Sequence, residues 1–139
     1  DYTANVDRLA KKFETARTWV PAEMAEVQPG ADVAIIAYGT SHWATEEARD
    51  QLKNEAGLTT SYMRLRAYPF TEAVEQFIDR HKRVYVVEQN RDAQMLSLLK
   101  LDLTPAQVGK LRSIVYYTGL PIDARTISDE ILAQEREAK

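Results

Sequence analysis

Ser41, His42 and His81 are the residues that first suggest covalent chemistry. Ser41 and His42 are adjacent in the chain, a spacing that does not bring a hydroxyl onto its own general base. No Gly-x-Ser-x-Gly elbow surrounds the serine, so a nucleophilic triad is not expected. His81 closes an apolar helical stripe and reads as a cap or a partly buried ring. With two histidines and no cysteine, disulfides, thiolate zinc sites, Cys-held iron–sulfur clusters and a His-rich metal site are all out of reach. Gly39-Thr40-Ser41 follows an apolar run and precedes a helix. Its N–H groups could meet a small anion, or Thr40 or Ser41 could simply cap the helix. Neither a dinucleotide fingerprint nor a P-loop surrounds it. Glu88, Asn90 and Gln94 follow the clearest strand, where polar groups serve a site, an interface or loop backbone groups.

The elements that must position these residues can be read from periodicity. Val6, Leu9, Phe13 and Ala16 form one helical stripe over residues 5–20, and Pro21 ends it. Residues 22–31, with Pro29-Gly30, read as a linker. The run 33–38 is continuously apolar, as in a strand covered on both faces. Ala44, Ala48 and Leu52 then recur every four residues, in a helix closing at Gly57. Residues 59–65 form a second strand, and Val74, Phe77, Ile78 and His81 mark a helix. Residues 84–87 are a third strand, followed by a short helix over 93–99. Residues 101–109 read as a connection broken by Pro105, and 111–117 as a fourth strand. Thr126-Ile127-Ser128-Asp129 resembles a capping box opening a last helix, which buries Ile127, Ile131 and Leu132 and frays over 135–139.

Strand–helix alternation of this kind predicts a three-layer α/β/α domain with a mainly parallel sheet of four to five strands and an extra N-terminal helix. The expected division is a helix and linker over 1–31 and the α/β domain over 32–139. Function belongs at the edge where strand C-termini meet helix N-termini. A receiver-like signalling domain is excluded, because the first of these strands ends Ala37-Tyr38-Gly39 without an acidic pair. Eighteen Lys+Arg against 21 Asp+Glu give a net charge of −3. That balance disfavours nucleic acid as a partner. No apolar run approaches the ~20 residues of a membrane span. Arg64, Arg66, Arg80, Lys82 and Arg83 read as solvated faces or a local patch for an acidic partner. The sequence opens at Asp1, so a piece of a longer polypeptide is one expectation.

Four motifs in order carry a resemblance. They are residues 32–40, a strand ending in an aromatic-Gly-Thr turn; Leu65-Arg66-Ala67-Tyr68-Pro69-Phe70; Val86-Val87-Glu88-Gln89-Asn90 with Gln94 shortly after; and Tyr117-Thr118-Gly119-Leu120-Pro121-Ile122. Together they resemble the C-terminal domain of the alpha subunit of 2-oxoacid:ferredoxin (or acceptor) oxidoreductases, the pyruvate and 2-oxoglutarate enzymes among them. That domain is similar to the C-terminal domain of transketolase. The chain departs from the family at Ala93, where Gly is usual, and at Thr71, where a second Pro is frequent.

The resemblance implies a part of an enzyme. The parent would oxidatively decarboxylate a 2-oxoacid with coenzyme A, using thiamine diphosphate, magnesium and iron–sulfur clusters in the cytoplasm. This chain has neither a Gly-Asp-Gly motif nor cysteine, so none of these cofactors is expected on it. Its implied partners are the N-terminal domain of its own alpha subunit, the beta subunit and, indirectly, ferredoxin. The implied interface comprises Tyr68, Pro69, Phe70, Glu88, Asn90 and Gln94, with no catalytic residue and no metal ligand. Two other readings stand beside it: a free-standing module binding small anions at Gly39, Thr40 and Ser41, and a dimerising domain of transketolase or E1 type.

Overall fold

Val33–Tyr38 forms the strand at the centre of the sheet (β2), and the sequence shows why. Residues 33 to 37 are at most 1% exposed, as a parallel strand roofed by helices on both faces requires. In this computed structural model residues 1–138 are described. The other strands are Met24–Glu26 (β1), Thr60–Leu65 (β3), Arg83–Glu88 (β4) and Leu111–Val115 (β5), in the order β1-β3-β2-β4-β5. All neighbours pair parallel except β1, which runs antiparallel to β3. The expected mainly parallel sheet is therefore present.

The two-residue period of the strands sorts side chains into two cores. Val33, Ile35 and Ala37 join Tyr62, Tyr85 and Val87 beneath the helices Ser41–Ala56 (α2) and Ala124–Glu137 (α6). Ala34 and Ile36 join Met63, Leu65, Val84 and Val86 on the opposite face. There the helices Glu72–Asp79 (α3) and Gln94–Lys100 (α4) supply Val74, Phe77, Ile78 and Leu99. Gly57, at φ 66 in the left-handed region, ends α2 and donates to the carbonyls of Leu52 and Lys53.

Several elements differ from expectation. The 22–31 linker contains β1, a triplet exposed throughout and too short to show a period. Tertiary bonds hold it. Arg49 Nη2 donates to Glu26 at 3.0 Å and to the Thr60 carbonyl at 3.2 Å. The Gln28 N–H donates to Ser61 Oγ at 2.9 Å. The 101–109 connection holds a short helix, Pro105–Val108 (α5), with a full capping box between Thr104 and Gln107. Pro105 starts this turn instead of breaking it, because the first helical N–H needs no partner. The box expected at 126–129 is not the start of α6. Asp123 caps that helix, accepting from the Thr126 N–H at 2.8 Å.

The tail is not loose at Glu135, whose carboxylate accepts from Arg83 and from the Tyr85 hydroxyl at 2.5 to 2.7 Å. Lys139 of that tail lies outside the described residues. Tyr2–Trp19 (α1) buries no residue and joins the domain at its C-terminal end. There Arg17 donates to the Phe70 carbonyl, and the Glu23 carboxylate accepts from the N–H and hydroxyl of Thr71. Among the described residues no helix is long and apolar enough to cross a membrane.

Candidate functional site

The chain order places a topological switch point between β2 and β4. From β2 the chain moves through α2 to β3 on one side; from β3 it crosses through α3 to β4 on the other. Open parallel sheets take their ligands in the crevice at such a point, beyond the strand C-termini. Here protein side chains occupy it. Gln89 Nε2 donates to Thr40 Oγ1 at 3.1 Å and to Ser41 Oγ at 3.0 Å. Its Oε1 accepts from the Ile122 N–H at 3.1 Å. One amide thus ties the ends of β2 and β4 to the loop before α6.

A second network lies one residue deeper. Glu88 is fully buried, and its carboxylate accepts from the N–H groups of Met95 (2.5 Å) and Leu96 (3.0 Å). Asn90 Nδ2 donates to the same carboxylate at 3.0 Å, and the Tyr38 hydroxyl approaches it at 3.4 Å. A buried carboxylate needs such donors, and the first turn of α4 needs an acceptor. Ala93 at its N-cap has no polar side chain, so Glu88 caps the helix from the neighbouring strand. Burial, followed by the negative charge of Glu88, holds the Tyr38 phenol above its ordinary pKa.

The structure therefore brings Glu88 and Asn90 together with Tyr38. Gln94 joins through its backbone N–H, bonded to Asn90 Oδ1 at 3.2 Å, and its side chain is exposed. Glu88, expected on the rim, is interior. The Tyr68-Pro69-Phe70 turn is divided in the same way. Pro69 and Phe70 are buried, while Tyr68 is 42% exposed and stands edge-on against the Phe70 ring. At Gly39-Thr40-Ser41, neither hydroxyl caps α2; instead both accept from Gln89. The sequence reading missed Tyr38 and Gln89 as site members. Their partners stand 33 to 52 positions away, and only the fold brings them together.

The histidines behave as structural groups. His42 Nδ1 lies 2.9 Å from the Tyr62 hydroxyl. Tyr62 is pushed well above its normal range, first by burial and then by Glu46. His81 is buried and bonded through Nδ1 to the Phe77 carbonyl at 2.6 Å. Among the described residues no three His, Cys, Asp or Glu side chains could hold a metal together.

No protein-family model matches the chain, and no curated protein matches it in sequence. Among solved structures it is similar in fold to 2-oxoglutarate:ferredoxin oxidoreductase from Magnetococcus marinus, determined with 2-oxoglutarate, coenzyme A and succinyl-CoA bound. The TM-score is 0.74 at 23% identity, covering 86% of this chain and 21% of that one. The chain thus spans about a fifth of that protein's length. The α/β sheet and its helices are consistent with the transketolase C-terminal-like arrangement.

Proposed function

We propose that this chain is the transketolase C-terminal-like domain of the alpha subunit of a 2-oxoacid:ferredoxin oxidoreductase, and that it serves that enzyme as scaffold and interface. The carrying observation is the filled switch-point crevice. A fold shared with such an oxidoreductase here has its usual ligand position closed by Gln89 on Thr40 and Ser41. Neither thiamine diphosphate with its metal nor an iron–sulfur cluster fits the groups present. The buried carboxylate of Glu88 is spent on backbone N–H donors, and the chain has no cysteine. The bond-making steps of a cytoplasmic parent enzyme belong to its other domains, the beta subunit foremost. This domain contributes a rim on which Tyr68, Asn90 and Gln94 meet those neighbours, with ferredoxin served indirectly.

The test uses the complete alpha subunit co-purified with its beta subunit, assayed for 2-oxoacid- and coenzyme-A-dependent dye reduction. Tyr68→Ala and Gln94→Ala should weaken assembly while kcat per assembled enzyme and KM for the 2-oxoacid stay unchanged. A fall in kcat of the intact complex would place these residues at the chemistry and overturn the reading. Thiamine diphosphate bound by residues 1–139 alone would do the same. Calorimetric heat on titrating phosphate into the chain would favour an anion-binding module at residues 39–41 instead.

A further inference from the structure

Between the C-terminal ends of β2 and β3 lies an open cleft of about 320 Å3, lined by Tyr38, Gly39, Leu65, Arg66, Tyr68 and Met95 along with Ala67. Its walls are mostly apolar and are held from behind. The Tyr38 hydroxyl is engaged by Glu88 and Asn90, which tethers the tip of its ring. Tyr68 is braced edge-on by Phe70, and Leu65 belongs to the core. Met95 is half-buried on α4 and supplies an adaptable thioether.

One cation borders this cleft. Arg66 is exposed, and its Nε donates to the Ala22 carbonyl at 2.7 Å, an anchor that limits where the guanidinium can swing. Among the described residues its terminal nitrogens donate to no group and it forms no ion pair. A planar fork with free donors beside an aromatic-walled cleft is complementary to a carboxylate carried next to an apolar group.

We propose that this cleft seats the anchor of a protein partner: an aromatic side chain with an acidic residue beside it in sequence, the ring between Tyr38, Tyr68 and Met95 and the carboxylate on Arg66. Anchors of this kind, an aromatic in a preformed pocket, carry much of an interface's energy. The proposal rests on the reading of this sheet edge as an interface, and it does not depend on which enzyme is the parent.

The probe is the capped dipeptide Ac-Phe-Glu-NH2, titrated into the chain while the Met95 methyl resonance is followed. A saturable shift is expected, with Ac-Phe-Gln-NH2 binding about tenfold more weakly, as for loss of one charge-assisted contact. Arg66→Glu should reverse the preference toward Ac-Phe-Lys-NH2. The proposal is overturned if the methyl does not move at saturating solubility of the peptide. Equal binding of the Glu and Gln peptides to the unaltered chain overturns it too, whatever becomes of the variant. Failure in these arms with a normally assembled oxidoreductase removes the cleft and leaves the parent assignment standing. A positive titration with no alpha–beta assembly does the reverse.

Discussion

Ala93 has φ 48, the one non-glycine residue with positive φ among the described residues. A Cβ in the left-handed region costs roughly 1–2 kcal/mol, and glycine is free of that cost but loses more chain entropy on folding. Ala93→Gly should therefore raise unfolding stability by up to about 1 kcal/mol, read as a higher urea midpoint at unchanged m-value. A lower midpoint would show that the left-handed turn is not strained. The neighbouring carboxylate predicts a change of the opposite sign. In Glu88→Gln an amide N–H2 replaces one of two oxygens that face N–H donors, so one donor is left without an acceptor. Such a loss costs about 1–3 kcal/mol in a buried place, and urea unfolding of the variant should show it; a midpoint unchanged from the parent chain would mean that Glu88 does not cap α4. Glu88 illustrates how far single residues are legible. Its type and its place after a strong strand mark it as unusual. Its burial does not show, because its main partners are backbone N–H groups, which every residue but proline carries.

At the scale of elements, α6 is fastened along its length. Asp123 caps it, Ser128 donates to Gln51 of α2 at 2.8 Å, and Glu135 receives Arg83 and Tyr85 of β4. Glu135→Ala would leave a guanidinium and the phenol of the buried Tyr85 without their acceptor, a loss of about 2 kcal/mol by the usual worth of charge-assisted bonds. Hydrogen exchange should show the last turn of α6 opening first; uniform protection along the helix would contradict that placement. The outer edge of β5 is protected in a related way. Arg112 Nη1 donates to the Leu111 carbonyl at 2.9 Å and Gln134 Nε2 to the Ser113 carbonyl at 3.0 Å. Side chains satisfying an edge in this manner discourage strand addition. The double change Arg112→Ala with Gln134→Ala should raise the light scattering of concentrated samples, and unaltered scattering would mean that the edge is guarded otherwise. The four parallel strands were legible because each is a short apolar run between turn signals. β1 was not, since three exposed residues owe their pairing to Arg49 and Ser61 on other elements. The start of α6 was misplaced by about one turn, because Thr126 and Asp129 imitate a cap while Asp123 makes it.

For the whole molecule, the two cores meet across a sheet whose central strand is buried from Val33 to Ala37, so packing failure on either face unfolds both. His81 links that packing to pH. Its ring lies against Phe77, bonds the Phe77 carbonyl, and has Lys110 and Arg80 as charged neighbours. Burial first, with those cations adding to it against the pull of the carbonyl, holds its pKa below the ordinary histidine value. The unfolded chain therefore binds a proton at His81 before the folded chain does. Stability then falls as pH drops below about 6.5 and levels off once pH passes the folded pKa. The carboxylates act lower on the scale and in the same direction. Glu26 on Arg49, Glu55 on Arg125 and Asp123 on the Thr126 N–H and hydroxyl all have depressed pKa values. Their contribution is complete above the ordinary carboxylate range and is lost as pH falls through the folded values. Two separate acid steps should thus appear in urea midpoints measured from about pH 7 downward. His81→Asn keeps an N–H that can meet the Phe77 carbonyl but does not titrate, so it should abolish the upper step and leave the lower one. If the slope between about pH 6.5 and pH 5 survives in that variant, the proton is being taken up elsewhere and His81 is not the group that couples the core to acid.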